Sequence, residues 1–339
     1  MELEKKTYDD LFAWARDELI SAGIKEKFQL KPLREEASLR KYFRLETPSK
    51  SLILVDSASE KDKCKSFNNL SKIFSRGGVN VPSVHFYNKE KGYMLIEDYG
   101  DNLYQDILNR SNENKLYDLA FNQLVKLHKT EISGLKYFDK DLALDQVALF
   151  EIWFLEKYLS FGLDYSQREK IRNSYEFILS GFFSQPQVTC HFDFESRNLM
   201  SLSNGETGIL DFQDALIGPI FLDPASLIRD LYQDRDEENE RNLLDIYINK
   251  ALHEGLLDPK TSSDWIFWFD MACIQRQLRI LGTLVRLHLR DKKSFRLVDL
   301  PKTLEYLITS SSKYKELSDL VILLNKASSL LEKEMERLS

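Results

Sequence analysis

HFDFESRN, residues 191–198, runs directly into LMSLSNGETGILDFQD, residues 199–214. The pattern is His-x-Asp-x4-Asn, a turn, then Asp-Phe-Gln-Asp. Phosphoryl transfer from a metal-bound nucleotide needs a carboxylate to receive the proton of an attacking hydroxyl. It also needs a carboxylate and an amide to hold Mg²⁺ against the phosphates. Asp193 is placed to be the first carboxylate, and Asn198 and Asp211 to be the metal pair. His191 is read as orienting the loop, since Asp193 is better placed to act as the base.

The flanking residues suggest how these groups are held. Val188 to Cys190 can end a strand that delivers Asp193 on a loop. Leu199 to Leu202 reads as a short strand, Ser203-Asn204-Gly205 as a turn, and Thr207 to Phe212 as the return strand. With Asn204 and Gly205 as a two-residue loop, Asn198 is expected opposite Asp211. Their Cα atoms would then lie roughly 4.5–5.5 Å apart, so that two oxygen ligands share one hard cation. His-x-Asp-x4-Asn alone is a weak signal. The hairpin and the Asp-Phe-Gln-Asp at this distance make it specific.

Composition removes several classes of function. The chain has 339 residues, enough for two domains or two lobes with a large core. Hydrophobic residues make up 43% and charged residues 30%, ordinary for a globular protein. Net charge is −7 with no long basic stretch, which argues against nucleic acid as a partner. Cys64, Cys190 and Cys273 are odd in number and scattered, neither a disulfide framework nor a zinc pattern. No apolar run approaches the ~18 residues of a membrane span, and MELEKKTYDD lacks a signal-like apolar core. A cytoplasmic protein with no membrane partner is expected.

Periodicity divides the chain. Lys6 to Ala22 reads as an amphipathic helix, and Phe28 to Leu33, Lys41 to Glu46 and Ser51 to Asp56 as strands. A helix at Lys61 to Arg76 should stop at Gly77-Gly78, before a strand pair at Val81 to Tyr87 and Gly92 to Ile96. Beyond Tyr99-Gly100 the pattern is mainly helical: 115–130, 146–159, 167–180, 237–253, 264–289 and two helices after Pro301. The expected fold class is α+β: a bilobal, protein-kinase-like fold with a small β-rich N-lobe (1–97) and a larger, mainly helical C-lobe (98–339). In such a plan the connector Ile96 to Gly100, including Glu97 and Tyr99, would offer backbone groups to an adenine edge.

At this point the sequence resembles the aminoglycoside phosphotransferase and choline kinase superfamily. EASLRKYFRLE (36–46), SLILVD (51–56) and LIEDYGDNLY (95–104) are similar, more narrowly, to bacterial cell-wall amino-sugar kinases. So are CHFDFESRNLM (190–200), LDFQDALIGPIFLDPASLIRD (210–230) and IQRQLRILGTLVRLHLRDKK (274–293). The resemblance implies ATP-dependent phosphorylation of the anomeric hydroxyl of N-acetylmuramate or N-acetylglucosamine, with Mg²⁺. It implies Asp193 as general base, Asn198 and Asp211 as metal ligands, and Ala37 to Arg44, Ser38 included, as the loop over the phosphates.

Two departures stand out. The third strand ends in Asp56 where kinase-like folds place a phosphate-binding Lys, and the phosphate loop has no glycine. Arg40 or Arg44 is expected to replace that Lys, because a planar guanidinium donates two parallel bonds to phosphate. Gln213 and Asp214 could reach the sugar, Asp223 is expected to brace the catalytic loop, and one of Arg276, Arg279 and Arg286 could meet a sugar carboxylate, with Arg276 put first. Two alternatives stay open: a kinase for an aminoglycoside, choline or another small alcohol, and a nucleotide-binding regulator without catalysis.

Overall fold

The computed structural model describes residues 2–24, 27–33, 40–233 and 235–338. The chain divides into two compact units, one of residues 1–132 with 197–215 and one of 133–196 with 216–339.

The first unit opens with helix α1 (Glu2–Ser21) and strands β1 (Gln29–Pro32), β2 (Lys41–Glu46) and β3 (Ser51–Asp56). Helix α2 (Lys61–Arg76) follows, then β4 (Val84–Asn88) and β5 (Tyr93–Glu97). The five strands form one antiparallel sheet in the order β1-β2-β3-β5-β4. Successive strand side chains point to opposite faces. Leu52 and Leu54 of β3 therefore join Tyr93 and Leu95 on the face where α1 buries Leu11, Ala15 and Leu19. α2 ends as its Gly-Gly signal requires: Gly78 takes φ +77°, and Val79 N–H closes on Phe74 O at 3.0 Å. The short helix α3 (Tyr104–Ile107) and α4 (Glu113–Lys129) complete this run.

The second unit begins with α5 (Lys140–Leu149), capped by Asp139, whose side chain accepts Leu142 N–H at 2.9 Å. It passes without a break into a π-helical stretch, Phe150–Tyr158. The expected helix at 146–159 is thus the junction of two helix types. Then come α6 (Tyr165–Phe183) and β6 (Gln187–Cys190). The chain re-enters the first unit as the hairpin β7 (Leu199–Ser201) and β8 (Thr207–Ile209), and returns with β9 (Leu216–Pro219). β9 pairs antiparallel with β6, so a strand that sequence reasoning passed over holds the start of the loop that carries Asp193. Helices α7 (Leu222–Ile228), α8 (Glu237–His253), α9 (Trp265–Leu289), α10 (Leu300–Ser311) and α11 (Ser318–Leu338) follow.

α9 is the axis of this unit. It is apolar over most of its circumference, as a helix packed on several sides must be, and it packs against α5, the π-helical stretch, α6, α7 and α10. The approach is tightest at Gly282, where a Cβ would lie 2.3 Å from the Leu149 carbonyl carbon. Only glycine admits a helix that close to another backbone. Among the described residues no helix is long and apolar enough to cross a membrane.

Candidate functional site

Asp211 and Asn198 belong to the first unit. The β7–β8 register pairs Leu199 with Ile209 and Ser201 with Thr207, one residue away from the expected alignment. Asn198 is therefore opposite Leu210, whose N–H donates to the Asn198 carbonyl at 2.8 Å, and the expected Asn198–Asp211 pairing is corrected. The reason lies in the turn. Asn-Gly does not form a two-residue loop here; Ser203, Asn204 and Gly205 form a three-residue one. It is closed by Gly205 N–H to Leu202 O at 3.0 Å and Leu202 N–H to Glu206 O at 2.9 Å, with Gly205 at φ +82°.

The slip releases Asp211 from the ladder. It adopts φ +57°, ψ +34°, a left-handed conformation uncommon outside glycine. Its neighbours hold it there. Phe212 is fully buried, with its ring 4.5 Å from Phe67 and 5.8 Å from Phe74 of α2, and the Ser66 hydroxyl donates to the Gln213 carbonyl at 2.8 Å. The Asp211 side chain keeps 34% exposure. Its Oδ1 accepts from Arg40 Nη2 at 2.8 Å and Gln213 Nε2 at 2.9 Å. The Asp211 carboxylate and the Asn198 side-chain amide are oxygen donors of the kind that a hard cation such as Mg²⁺ takes.

The two arginine candidates have different surroundings. Arg40 is buried, within 3.7 Å of Glu60 as well as bonded to Asp211. Burial lowers the affinity of its guanidinium for the proton, but Tyr42, Asp211 and Glu60 together carry it above its ordinary range. Arg44 instead anchors the connector: it bridges Asp98 and Asp101 at 2.7 Å each and donates to the Gly100 carbonyl at 2.9 Å. Asp98 also accepts from Ser51. Asp56, standing where a Lys was expected, accepts Ala58 N–H at 3.0 Å and so caps the turn into α2. Lys63 of α2 reaches Asp214 at 3.2 Å and Glu60 at 3.6 Å, a cation that the sequence reading did not single out. Asp214 also accepts from Gln213, at 3.2 Å. Glu97 is held to Ser83 through its side chain at 3.2 Å and its own N–H at 2.9 Å. Tyr99 packs on Gly208, where a Cβ would come within 2.5 Å of the ring, and burial raises its hydroxyl pKa. Ser38 lies outside the described residues.

Asp193 belongs to the second unit. Asp223, fully buried at the start of α7, accepts His191 N–H at 2.7 Å and Phe192 N–H at 2.9 Å. Asp230, just past α7, accepts Ser196 N–H at 2.7 Å. Two carboxylates at the ends of one short apolar helix therefore hold the Asp193 loop through its backbone. Burial, followed by the nearby Glu195 charge, raises the pKa of Asp230. Phe192 sits at φ +82° and Glu195 N–H turns back to Asp193 O at 3.0 Å, which leaves the Asp193 side chain 32% exposed.

Arg279, and not Arg276, meets that carboxylate. Its Nη2 lies 3.1 Å from Asp193 Oδ1, and its guanidinium stacks 4.7 Å from the centre of the Phe192 ring. Arg276 points inward. It is 2% exposed and bonded to Glu195 at 2.6 Å and to the Arg229 carbonyl at 3.4 Å. The expectation that Arg276 is open to a substrate gives way to a buried ion pair with Glu195 of the Asp193 loop. Burial pushes the Cys64 thiol up to about 11 and the Cys273 thiol up to about 12, and raises that of Cys190 well above its ordinary range.

A loop braced through its backbone around Asp193 in one unit, and a pinned Asp-Phe-Gln turn in the other, are the sequence elements that a kinase-type phosphotransferase uses. The chain belongs to the phosphotransferase enzyme family, which matches residues 29–256. It is 31% identical over 293 residues to the N-acetylmuramate/N-acetylglucosamine kinase of Pseudomonas aeruginosa, covering 86% of each chain. To the protein of the same name from Neisseria meningitidis serogroup B it is 33% identical over 303 residues, 88% of this chain and 90% of that one. Among solved structures, the ADP-bound aminoglycoside phosphotransferase APH(2'')-Ib shares the fold with a TM-score of 0.58 at 19% identity, covering 86% of this chain and 97% of that one.

Proposed function

We propose that this enzyme transfers the γ-phosphoryl group of ATP to the anomeric hydroxyl of N-acetylmuramate or N-acetylglucosamine, in the reuse of cell-wall sugars. The observation that carries the reading is the similarity to kinases of that name across 86% and 88% of the chain. Residues 1–97 would serve the nucleotide and 98–339 the acceptor. Asp193 accepts the proton of the anomeric hydroxyl as the oxygen attacks phosphorus. Asn198 and Asp211 would hold Mg²⁺, which would supply positive charge to the phosphates. Arg40, already bonded to Asp211, is the cation that stands in for the missing strand Lys. The reaction belongs in the cytoplasm, where ATP is available.

The site's charge also bears on the acceptor. A cationic aminoglycoside or choline would meet the Arg279 guanidinium at the Asp193 carboxylate, like charge against like. ATP consumption should therefore be measured with N-acetylmuramate, N-acetylglucosamine, kanamycin and choline in parallel. Turnover is expected with the amino sugars. Turnover with kanamycin or choline and neither amino sugar would overturn the substrate assignment.

A further inference from the structure

We propose that Arg276 is a positioning residue for phosphoryl transfer: through the side chain of Glu195 it fixes the segment of chain that carries Asp193. The proposal rests on the reading of Asp193 as the base. It goes further in naming the buried pair that sets where that carboxylate stands, although Arg276 itself is closed off from any substrate.

Arg276 lies midway along α9, and among the described residues it is the largest side chain buried so fully, at 2% exposure. The positions one turn away on the same helix, Ala272, Cys273 and Ile280, are buried and apolar. A guanidinium placed there gives up its hydration. One carboxylate offsets that loss only in good geometry, and apolar side chains of similar volume often fill such a place equally well or better. Stability alone is therefore a poor account of this arginine. What it supplies is direction. Its Nη2 lies 2.6 Å from Glu195 Oε1, and its Nη1 reaches the carbonyl of Arg229, the C-cap of α7, at 3.4 Å. The Arg229 side chain is turned to other partners, Glu240 at 3.1 Å and Asp270 at 3.3 Å. One side chain of α9 thus touches both the Asp193 loop and the end of the helix that braces it.

The path from Arg276 to Asp193 is short. Glu195 N–H donates to the Asp193 carbonyl at 3.0 Å, so a shift of Glu195 is passed to Asp193. The next residue, Ser196, is held by its N–H to Asp230 at 2.7 Å. Asp230 and Glu195 are buried carboxylates whose charges oppose each other, and the Arg276 charge favours the ionised form of Asp230. An ionised carboxylate is the stronger acceptor for a backbone N–H. Arg276 therefore steadies two consecutive residues, one by a direct bond and the other through its charge. Arg296, between α9 and α10, also feels the Glu195 charge, but its own bonds go to Asp299 and the Tyr232 hydroxyl. A displacement of ~1 Å at a reacting group can cost about a hundredfold in rate, which is the leverage that such a pair holds.

The test removes both members of the pair together, because removing the arginine alone strands a buried charge. Arg276→Met combined with Glu195→Gln is assayed with ATP and the best acceptor of the four-substrate screen, alongside a thermal melt. The expected result is a folded enzyme whose kcat falls by about tenfold to a hundredfold. Its KM for ATP should stay within about twofold of wild type, the pattern of an interaction that matters in the transition state. In an Asp193→Asn background, read by single turnover, the same two substitutions should lower the rate no further. A folded double variant with wild-type kcat overturns the proposal. So does an equal loss in the Asp193→Asn background, which would mean that the pair acts on stability or through another group. Should the double variant fail to fold, Glu195→Gln alone is read in the same way, since it leaves Arg276 the charge of Asp230; wild-type kcat there overturns the proposal. These failures leave the reading of Asp193 as the base standing. Wild-type turnover in Asp193→Asn removes that reading, and this proposal with it.

Discussion

Asp193→Asn should lower kcat by about 10²–10⁴-fold, the usual worth of a positioned general base, while the protein stays folded. The structure separates the two effects. The loop is held by Asp223 accepting His191 N–H and Phe192 N–H and by Asp230 accepting Ser196 N–H, none of which involves the Asp193 side chain. The substitution also weakens the bond to Arg279, a partly exposed pair of a kind worth about 1 kcal/mol. Single-turnover rates together with a thermal melt resolve the point. Turnover within a few-fold of wild type would remove Asp193 from the role of base.

The second large effect is expected at Arg40. Arg40→Ala should raise the KM for ATP and lower kcat, for a combined ten- to over a hundredfold loss. That corresponds to removing charged hydrogen bonds worth about 1.5–3 kcal/mol. It would also leave Asp211 and Glu60 without the guanidinium between them. Arg44→Ala should act differently, because Arg44 is spent on Asp98, Asp101 and the Gly100 carbonyl. Its loss should loosen the connector and lower the melting temperature more than it alters ATP kinetics. Equal kinetic losses in the two variants would mean that contacts in the free enzyme do not identify the phosphate-binding cation.

Much of the architecture was legible because local signals agree with the final packing. β2, β3, α2 and α8 occupy the residues that their periodicity and end signals indicate. Asp193, Asp211 and Asp223 could be singled out because their spacing around a hairpin is restrictive, and Asp223 is found accepting His191 N–H and Phe192 N–H as a brace should. The register was not. Ser203-Asn204-Gly205 suits a two-residue or a three-residue loop, and only the pairing of Leu202 with Glu206 decides between them. β9 escaped notice because its partner, β6, is distant in sequence, and strand pairing of that kind leaves little local trace. The arginines of α9 show a third limit. Periodicity says which of them share a face, but not that Glu195 waits inside for Arg276 while Asp193 meets Arg279.

The product of the reaction tests the central claim most directly. Purified enzyme is incubated with ATP, Mg²⁺ and N-acetylglucosamine or N-acetylmuramate, and the proton NMR spectrum of the sugar product is recorded. The account predicts an anomeric H1 signal split by coupling to phosphorus, with the phosphate released by mild acid. A product phosphorylated at the 6-hydroxyl, with H1 uncoupled, would contradict it.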